Sequence, residues 1–349
     1  MSSNKQPKDG APEPHRKESS PANSSKTARA PRNRTIVLNP QEQNRYLKRC
    51  ITIDELSARS QNTLHTAVTR TKVPVNYITD KTIAADFHSA AEHLPDAFID
   101  LLFVDPPYNL YKRFNSSKFS PRSNSEYKEL LEAWFERLIP LLKPSASVYV
   151  CTDWRSTADV LEVLSRHFTV RNRITWEREK GRGAKHNWKN SSEDIWFATV
   201  SNDYYFNVDA VKLKRRVMAP YRDIRGKPKD WYTTNSGSFR LTHPSNLWTD
   251  ITVPYWSMPE NTDHPTQKPE KLLAKIILAS SREGEMVFDP FLGSGTTSVV
   301  AKKLGRSYCG IERELEYAAL CEKRLELAGQ NPRIQGYEAG IFYERNSLP

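Results

Sequence analysis

The chain has 349 residues, room for one large α/β domain with an insertion or for two small domains. Hydrophobic residues make up 38%, and no apolar run approaches the roughly 20 residues of a bilayer span, which excludes a helical membrane protein. The net charge of +11 suits a polyanionic partner, although simple solubility would read the same way.

Residues 1–36 are rich in Ser, Pro, Lys and Arg, with almost no large apolar side chains. Such a segment cannot offset its ordering entropy and reads as a disordered basic tail. It lacks the apolar core of a signal peptide, so a cytoplasmic location is expected. Cys50, Cys151, Cys309 and Cys321 are not spaced as C-x-x-C, and no histidines stand at zinc-ligand spacing. Neither a disulfide nor a metal is expected.

The pattern over 41–71 looks helical. Thr82–Asp86 is a short apolar run that ends in an acid. Asp100–Val104 is a continuous apolar run followed at once by Asp105-Pro106-Pro107, as in a buried parallel strand that ends at a loop. A helix is predicted over Tyr127–Leu142, a strand over Ser147–Cys151, a helix over Thr157–His167, and strands over Arg173–Trp176 and Asp194–Val200. Residues 202–262 break this order. They are rich in Lys, Arg, Trp, Tyr, Pro and Ser and show no sustained period, so they read as an insertion. Alternation resumes with a helix over Glu270–Ser280, a strand over Met286–Asp289, a glycine loop, and a helix over Thr297–Leu304. A strand from Ser307 to Glu312 and a helix over Glu316–Leu327 follow. This predicts a doubly wound, mostly parallel Rossmann-like sheet. Its halves would be 37–201 and 263–330, with 331–349 as a C-terminal extension.

Asp289-Pro290-Phe291-Leu292-Gly293-Ser294-Gly295-Thr296 joins a strand to a helix. Ligands of doubly wound sheets sit at such turns. No Lys follows the second glycine, so this is not a phosphate loop, and Ser298 replaces the third glycine of a dinucleotide fingerprint. Glu312, ending the next strand, could accept bonds from two ribose hydroxyls. Loop and acid together point to a nucleoside cofactor. A turn chosen only for tight helix–sheet packing would read the same.

Asp105-Pro106-Pro107-Tyr108 is stiff, because each proline fixes its own φ and restricts the residue before it. It presents a carboxylate, the Pro106 carbonyl and an aromatic ring at a sheet edge. This suits methylation of an exocyclic amine, a poor nucleophile whose lone pair is delocalised into the ring. Two acceptors on its N–H bonds would pull it toward a pyramidal shape, and Tyr108 could stack on a base that has left the duplex. A proline-stiffened turn capped by Asp105 is the competing reading.

With His264-Pro265-Thr266-Gln267-Lys268-Pro269, these motifs resemble the beta-type, permuted AdoMet-dependent DNA amino-methyltransferases, which act on adenine N6 or cytosine N4. The resemblance runs from about Asp80 to Leu327. It implies S-adenosyl-L-methionine (AdoMet) as cofactor and double-stranded DNA as partner. It leaves room for a homodimer and for a cognate restriction endonuclease. By position it implies Asp105, Pro106, Pro107 and Tyr108 as the catalytic loop. Asp289, Phe291, Gly293, Ser294, Gly295 and Thr296 would line the cofactor, Glu312 would hold its ribose, and Asp86 would face its adenine. Thr266, Gln267 and Lys268 would lie near its methionine end, where free N–H groups of the helix after Pro269 could receive a carboxylate. The insertion would read DNA through Lys212, Lys214, Arg215, Arg216, Arg222, Arg225, Lys227, Lys229, Trp231 and Tyr232. The basic loop 180–185 could approach the backbone, and the polar stretch 109–124 could order on binding. Asp rather than Ser at the first loop position favours adenine N6, with cytosine N4 next and RNA or protein methylation behind. The order of motifs, catalytic loop first, argues against protein-glutamine methylation.

Overall fold

The computed structural model describes residues 33–61, 72–113, 118–178, 185–218 and 221–344. The predicted tail up to residue 32, most of the basic loop 180–185 and part of the 109–124 stretch lie outside the described residues. Among the described residues no helix is long and apolar enough to cross a membrane.

The strands in chain order are β1 (Ile51–Thr52), β2 (Lys81–Ala84), β3 (Ile99–Val104), β4 (Lys112–Arg113), β5 (Lys118–Phe119), β6 (Leu142–Thr152), β7 (Thr169–Glu177) and β8 (Ser192–Thr199). There follow β9 (Leu213–Arg216), β10 (Tyr232–Thr234), β11 (Gly237–Thr242), β12 (Leu247–Trp248), β13 (Met286–Asp289), β14 (Ser307–Glu312), β15 (Tyr337–Glu338) and β16 (Ile341–Tyr343). The helices are α1 (Pro40–Leu47), α2 (Ile53–Gln61), α3 (Val75–Ile78), α4 (Phe87–Ala91), α5 (Asn124–Leu138), α6 (Thr157–His167), α7 (Glu270–Ser280), α8 (Thr296–Lys303) and α9 (Leu315–Gln330).

Nine strands form one sheet in the order β1-β2-β14-β13-β3-β6-β8-β7-β12. Every pairing in it is parallel except those that β8 makes with β6 and β7. The sheet is mostly parallel and covered on both faces, as the alternation of strands and helices predicts. Successive side chains of a strand point to opposite faces. Leu102 and Val104 therefore pack with Phe87, Leu131, Phe135 and Val160 of α4–α6 in one layer. Leu101 and Phe103 pack with Leu273, Val300 and Leu325 of α7–α9 in the other.

Helix α7 is buried along its whole length, which is why it is apolar all round apart from Glu270, Lys271, Lys275 and Ser280. It shares its layer with Leu213 and Phe342 of a second sheet, and with Val211 just before it. That sheet has the order β10-β11-β9-β16-β15. The 202–262 segment therefore folds into strands, and residues 337–343 belong with it: Leu213 pairs with Phe342 and Lys214 with Tyr343. Strand β12 returns to the edge of the main sheet beside β7. The helical pattern read over 41–71 resolves into α1, β1 and α2 as far as Gln61, and its remainder lies outside the described residues. At the start of the described chain, the Arg34 and Ile36 amides donate to the carbonyls of Trp256 and Asn261, both at 2.7 Å.

Candidate active site

Strands β2, β14, β13 and β3 are consecutive and parallel, so their carboxyl ends share one edge. Each leads into an acid: Asp86 just beyond β2, Glu312 closing β14, Asp289 closing β13, and Asp105 just beyond β3. The sequence places these acids far apart, and the parallel pairing sets them side by side. A cavity of about 450 Å³ opens along this edge. That is within the roughly 300–1,000 Å³ usual for small-molecule sites. Asp86, Asp105, Pro106, Pro107, Tyr108, Thr266, Lys268, Phe291, Gly293 and Glu312 all line it. A recess of about 30 Å³ beside it adds Gln267, Asp289, Ser294 and Thr296.

At one end, the Glu312 carboxylate accepts the Gly293 N–H at 2.6 Å and the Glu314 N–H at 2.7 Å. These bonds fix the acid at the cavity wall, and each oxygen keeps a second lone pair for a ligand hydroxyl. Burial pushes its pKa up to about 7, against the pull of the two amides. Asp86 caps α4 through the His88 N–H at 2.9 Å, with Arg313 at 3.9 Å. The Phe291 ring lies 4.8 Å from Trp134 and 5.8 Å from Phe87, giving an aromatic wall. Apolar walls beside a bonded acid suit a nucleoside cofactor. Asp289 turns inward. It accepts from Thr297 Oγ1 at 2.6 Å and from the Phe291 N–H at 2.9 Å, and burial pushes its pKa up to about 7. It shapes the loop from beneath.

The two loop glycines do different things. Both have positive φ. At Gly293 a Cβ would sit 3.0 Å from the His264 ring, so the glycine lets the two loops meet at the cavity. At Gly295 a Cβ would fall 2.2 Å from Cys321 Sγ of α9. Gly295 therefore allows helix packing and lines neither cavity. Arg324, also from α9, donates to the Ser294 carbonyl and to Thr296 Oγ1, both at 2.9 Å.

At the other end, the proline loop 105–108 is held by a buried polar cluster. Lys268 Nζ donates to Asp105 Oδ2 at 2.6 Å, and the Tyr108 hydroxyl donates to Asp105 Oδ1 at 3.0 Å. Glu193 Oε2 lies 3.2 Å from that hydroxyl and 3.5 Å from Lys268 Nζ, and Glu193 also pairs with Arg178. Side-chain exposure is 18% for Asp105, 7% for Lys268 and 5% for Glu193, so Asp105 is the more open of the two carboxylates. Burial pulls the Lys268 pKa down, but Asp105 and Glu193 more than offset it and raise it above the usual lysine range. Lys268 is thus a fixed cation bound to the proline loop. Its ammonium lies 5.4 Å from the Tyr108 ring centroid.

The segment 264–269 does more than border a cofactor. Gln267 faces inward, accepting from Thr262 N and Oγ1 at 2.9 and 2.7 Å and donating to the Glu260 carbonyl at 2.7 Å. The Glu270 amide at the start of α7 donates to Glu260 Oε2 at 2.7 Å. A carboxylate of the chain itself takes the helix amide that sequence analysis reserved for a ligand. Glu193, Arg178 and Glu260 were not singled out from the sequence. The one signal for Glu193 was an acid immediately ahead of an apolar run, the reverse of the pattern at Asp105.

On the second sheet, Lys214 lies over Phe239 at 4.6 Å and Tyr343 at 5.6 Å, and Arg222 over Trp231 at 5.1 Å. Lys212 pairs with Asp209 at 2.8 Å.

A sheet with an acid-lined edge, a cavity and a proline loop at its far end defines a methyltransferase fold, permuted so that the proline loop precedes the glycine loop. The chain belongs to the N6/N4 DNA methylase family, whose model matches residues 99–323. Over 247 residues it is 31% identical to the type II methyltransferase M.HpaI of Haemophilus parainfluenzae, which covers 70% of this chain and 73% of that protein. Over 262 residues it is 32% identical to the DNA adenine methyltransferase YhdJ of Escherichia coli (strain K12), which covers 70% of this chain and 82% of that one. Among solved structures, the PvuII DNA methyltransferase (cytosine-N4-specific) matches with a TM-score of 0.50 at 16% identity, over 77% of this chain and 95% of that one. That likeness bears on the fold alone. The chain is a DNA amino-methyltransferase.

Proposed function

We propose that this enzyme transfers a methyl group from AdoMet to the N6 amino group of adenine in duplex DNA. The observation that carries the reading is the Asp105 carboxylate, anchored by Lys268 and Tyr108 at the wall of the cavity whose other end holds Glu312. When bound, AdoMet supplies an electrophilic methyl group on sulfur. Glu312 would hold its ribose hydroxyls, and Phe87, Phe291 and Asp86 would flank its adenine.

Asp105 and the Pro106 carbonyl accept the N–H bonds of the target amine and free its lone pair for attack. The anchors matter because an acceptor that need not reorganise stabilises the developing charge most. The prolines keep the two acceptors at a fixed separation. Adenine is preferred to cytosine on Asp105 at the head of the loop, and the similarity to YhdJ supports that choice. The test is to incubate the purified protein with AdoMet and duplex DNA, digest the product and measure modified nucleosides. N6-methyladenine is expected. N4-methylcytosine alone would overturn the adenine assignment.

A further inference from the structure

Glu193 is the second residue of β8, which enters the sheet antiparallel to β6, itself the neighbour of β3. It therefore reaches the catalytic loop from two strands away and from outside every motif of the site. Its carboxylate meets the Tyr108 hydroxyl at 3.2 Å, Lys268 Nζ at 3.5 Å and the Arg178 guanidinium. Asp105 meets that same hydroxyl and ammonium at 3.0 and 2.6 Å.

Two carboxylates thus share one ammonium and one phenolic proton, and Arg178 brings the charges of the cluster to zero. The sharing bears directly on Asp105. A tyrosine has a single O–H to donate. If Glu193 were neutral, that proton and the whole field of Lys268 would fall on Asp105. Asp105 would then have less acceptor strength left for a third partner on the cavity side. Charge-assisted bonds are the strong ones, so the competition is not trivial.

We infer that Glu193 is a positioning residue for methyl transfer: it shares Lys268 and Tyr108 with Asp105 so that Asp105 keeps its acceptor strength for the target amine. This rests on the reading of Asp105 given above. Arg178 completes the arrangement by holding Glu193 charged in a buried place. Its backbone amide also bonds the Ser191 carbonyl across the β7–β8 hairpin at 2.5 Å.

The test is steady-state methylation of duplex DNA by the full chain and by Glu193→Gln and Glu193→Asp, with thermal unfolding of each. Glu193→Gln keeps size and hydrogen bonding but removes the charge. It is expected to lower kcat about tenfold while KM for DNA and for AdoMet stays within about twofold. Glu193→Asp keeps the charge but draws it back, and should recover part of the loss, to about threefold below wild type. The inference is overturned if every variant that folds keeps kcat within about twofold of wild type. It is equally overturned if both lose kcat together with a matching rise in KM and a lower unfolding temperature, since packing alone would do that. A wild-type protein that leaves DNA unmethylated would instead sink the reading of function.

Discussion

Two buried charge clusters hang on one short segment of this chain and do opposite things. Lys268 holds Asp105 and approaches Glu193 at the cavity. One turn and two turns further on, Lys271 and Lys275 converge on Asp250 at 2.9 and 2.7 Å, between α7 and the second sheet. There the side chains are 1–3% exposed, and Trp248 and Phe342 face Lys275 at 5.0 and 5.7 Å. The residue types are alike, and what differs is access. Asp250 is closed on every side and can serve only to pin two sheets to one helix. Asp105 has the same kind of anchor but keeps a face on the cavity. Only a lysine–carboxylate pair with one partner still open to a cavity, as Asp105 is, is placed to meet a ligand.

The sharpest break of this comparison is to remove each carboxylate. Asp105→Ala should lower kcat about 1,000-fold, the usual scale for losing a preorganised group that meets developing charge. AdoMet binding, read by calorimetry, should survive, and full activity in this variant would remove the mechanism. Asp250→Asn should do the reverse. Two buried ammonium groups would lose their counter-charge, at a cost of about 3–5 kcal/mol in urea unfolding. Activity per folded molecule should hold, and an inactive but fully stable Asp250→Asn would erase the distinction.

A smaller effect concerns the cofactor loop. Gly295→Ala combines positive φ with a Cβ driven into Cys321. It should cost about 2 kcal/mol, and Cys321→Ala should return part of that. If Gly295 instead touched cofactor, the second change would rescue nothing.

The smallest effect separates counter-charges from dipoles. Lysines draw the Asp250 pKa down in spite of burial, whereas at Glu312 two backbone amides and the Arg313 charge do not offset burial and the neighbouring Glu314, and it sits at about 7. Between its ordinary 4.5 and 7 the folded protein takes up a proton at Glu312, so cofactor-free stability should fall as pH rises through that window. Cofactor affinity should follow the charged form, full above pH 7 and weaker below it. A fall of about tenfold per unit is the upper limit, and Glu312→Gln should flatten the profile. An unchanged affinity between pH 8 and 6 would show that Glu312 does not hold the ribose as a carboxylate.

What could be read from the sequence follows from how each strand is buried. Strands β3, β13 and β14 are covered on both faces, so they appear as unbroken apolar runs, and the acid after each run marks the carboxyl edge. That made Asp105, Asp289 and Glu312 legible before any coordinates. Strands β9 and β11 are only partly buried, β10 is exposed, and none alternates cleanly, so the same reading saw an insertion without period. Lys268 was legible as a site residue but not as the anchor of Asp105. That contact joins residues 163 positions apart in sequence. Glu193 depends on β8 running antiparallel into a parallel sheet, a pairing that no local pattern announces.

The pairing of Leu213 with Phe342 has a consequence for how the molecule is assembled. The whole cofactor half of the chain lies between these two partners. Closing so long a loop is slow, and topologies rich in such contacts fold late. Strand β16 can join β9 only when the intervening chain, which carries α7, α8 and α9, brings the two together. The basic and aromatic surface that combines Lys214 and Phe239 with Tyr343 is therefore drawn from both sides of the cofactor half.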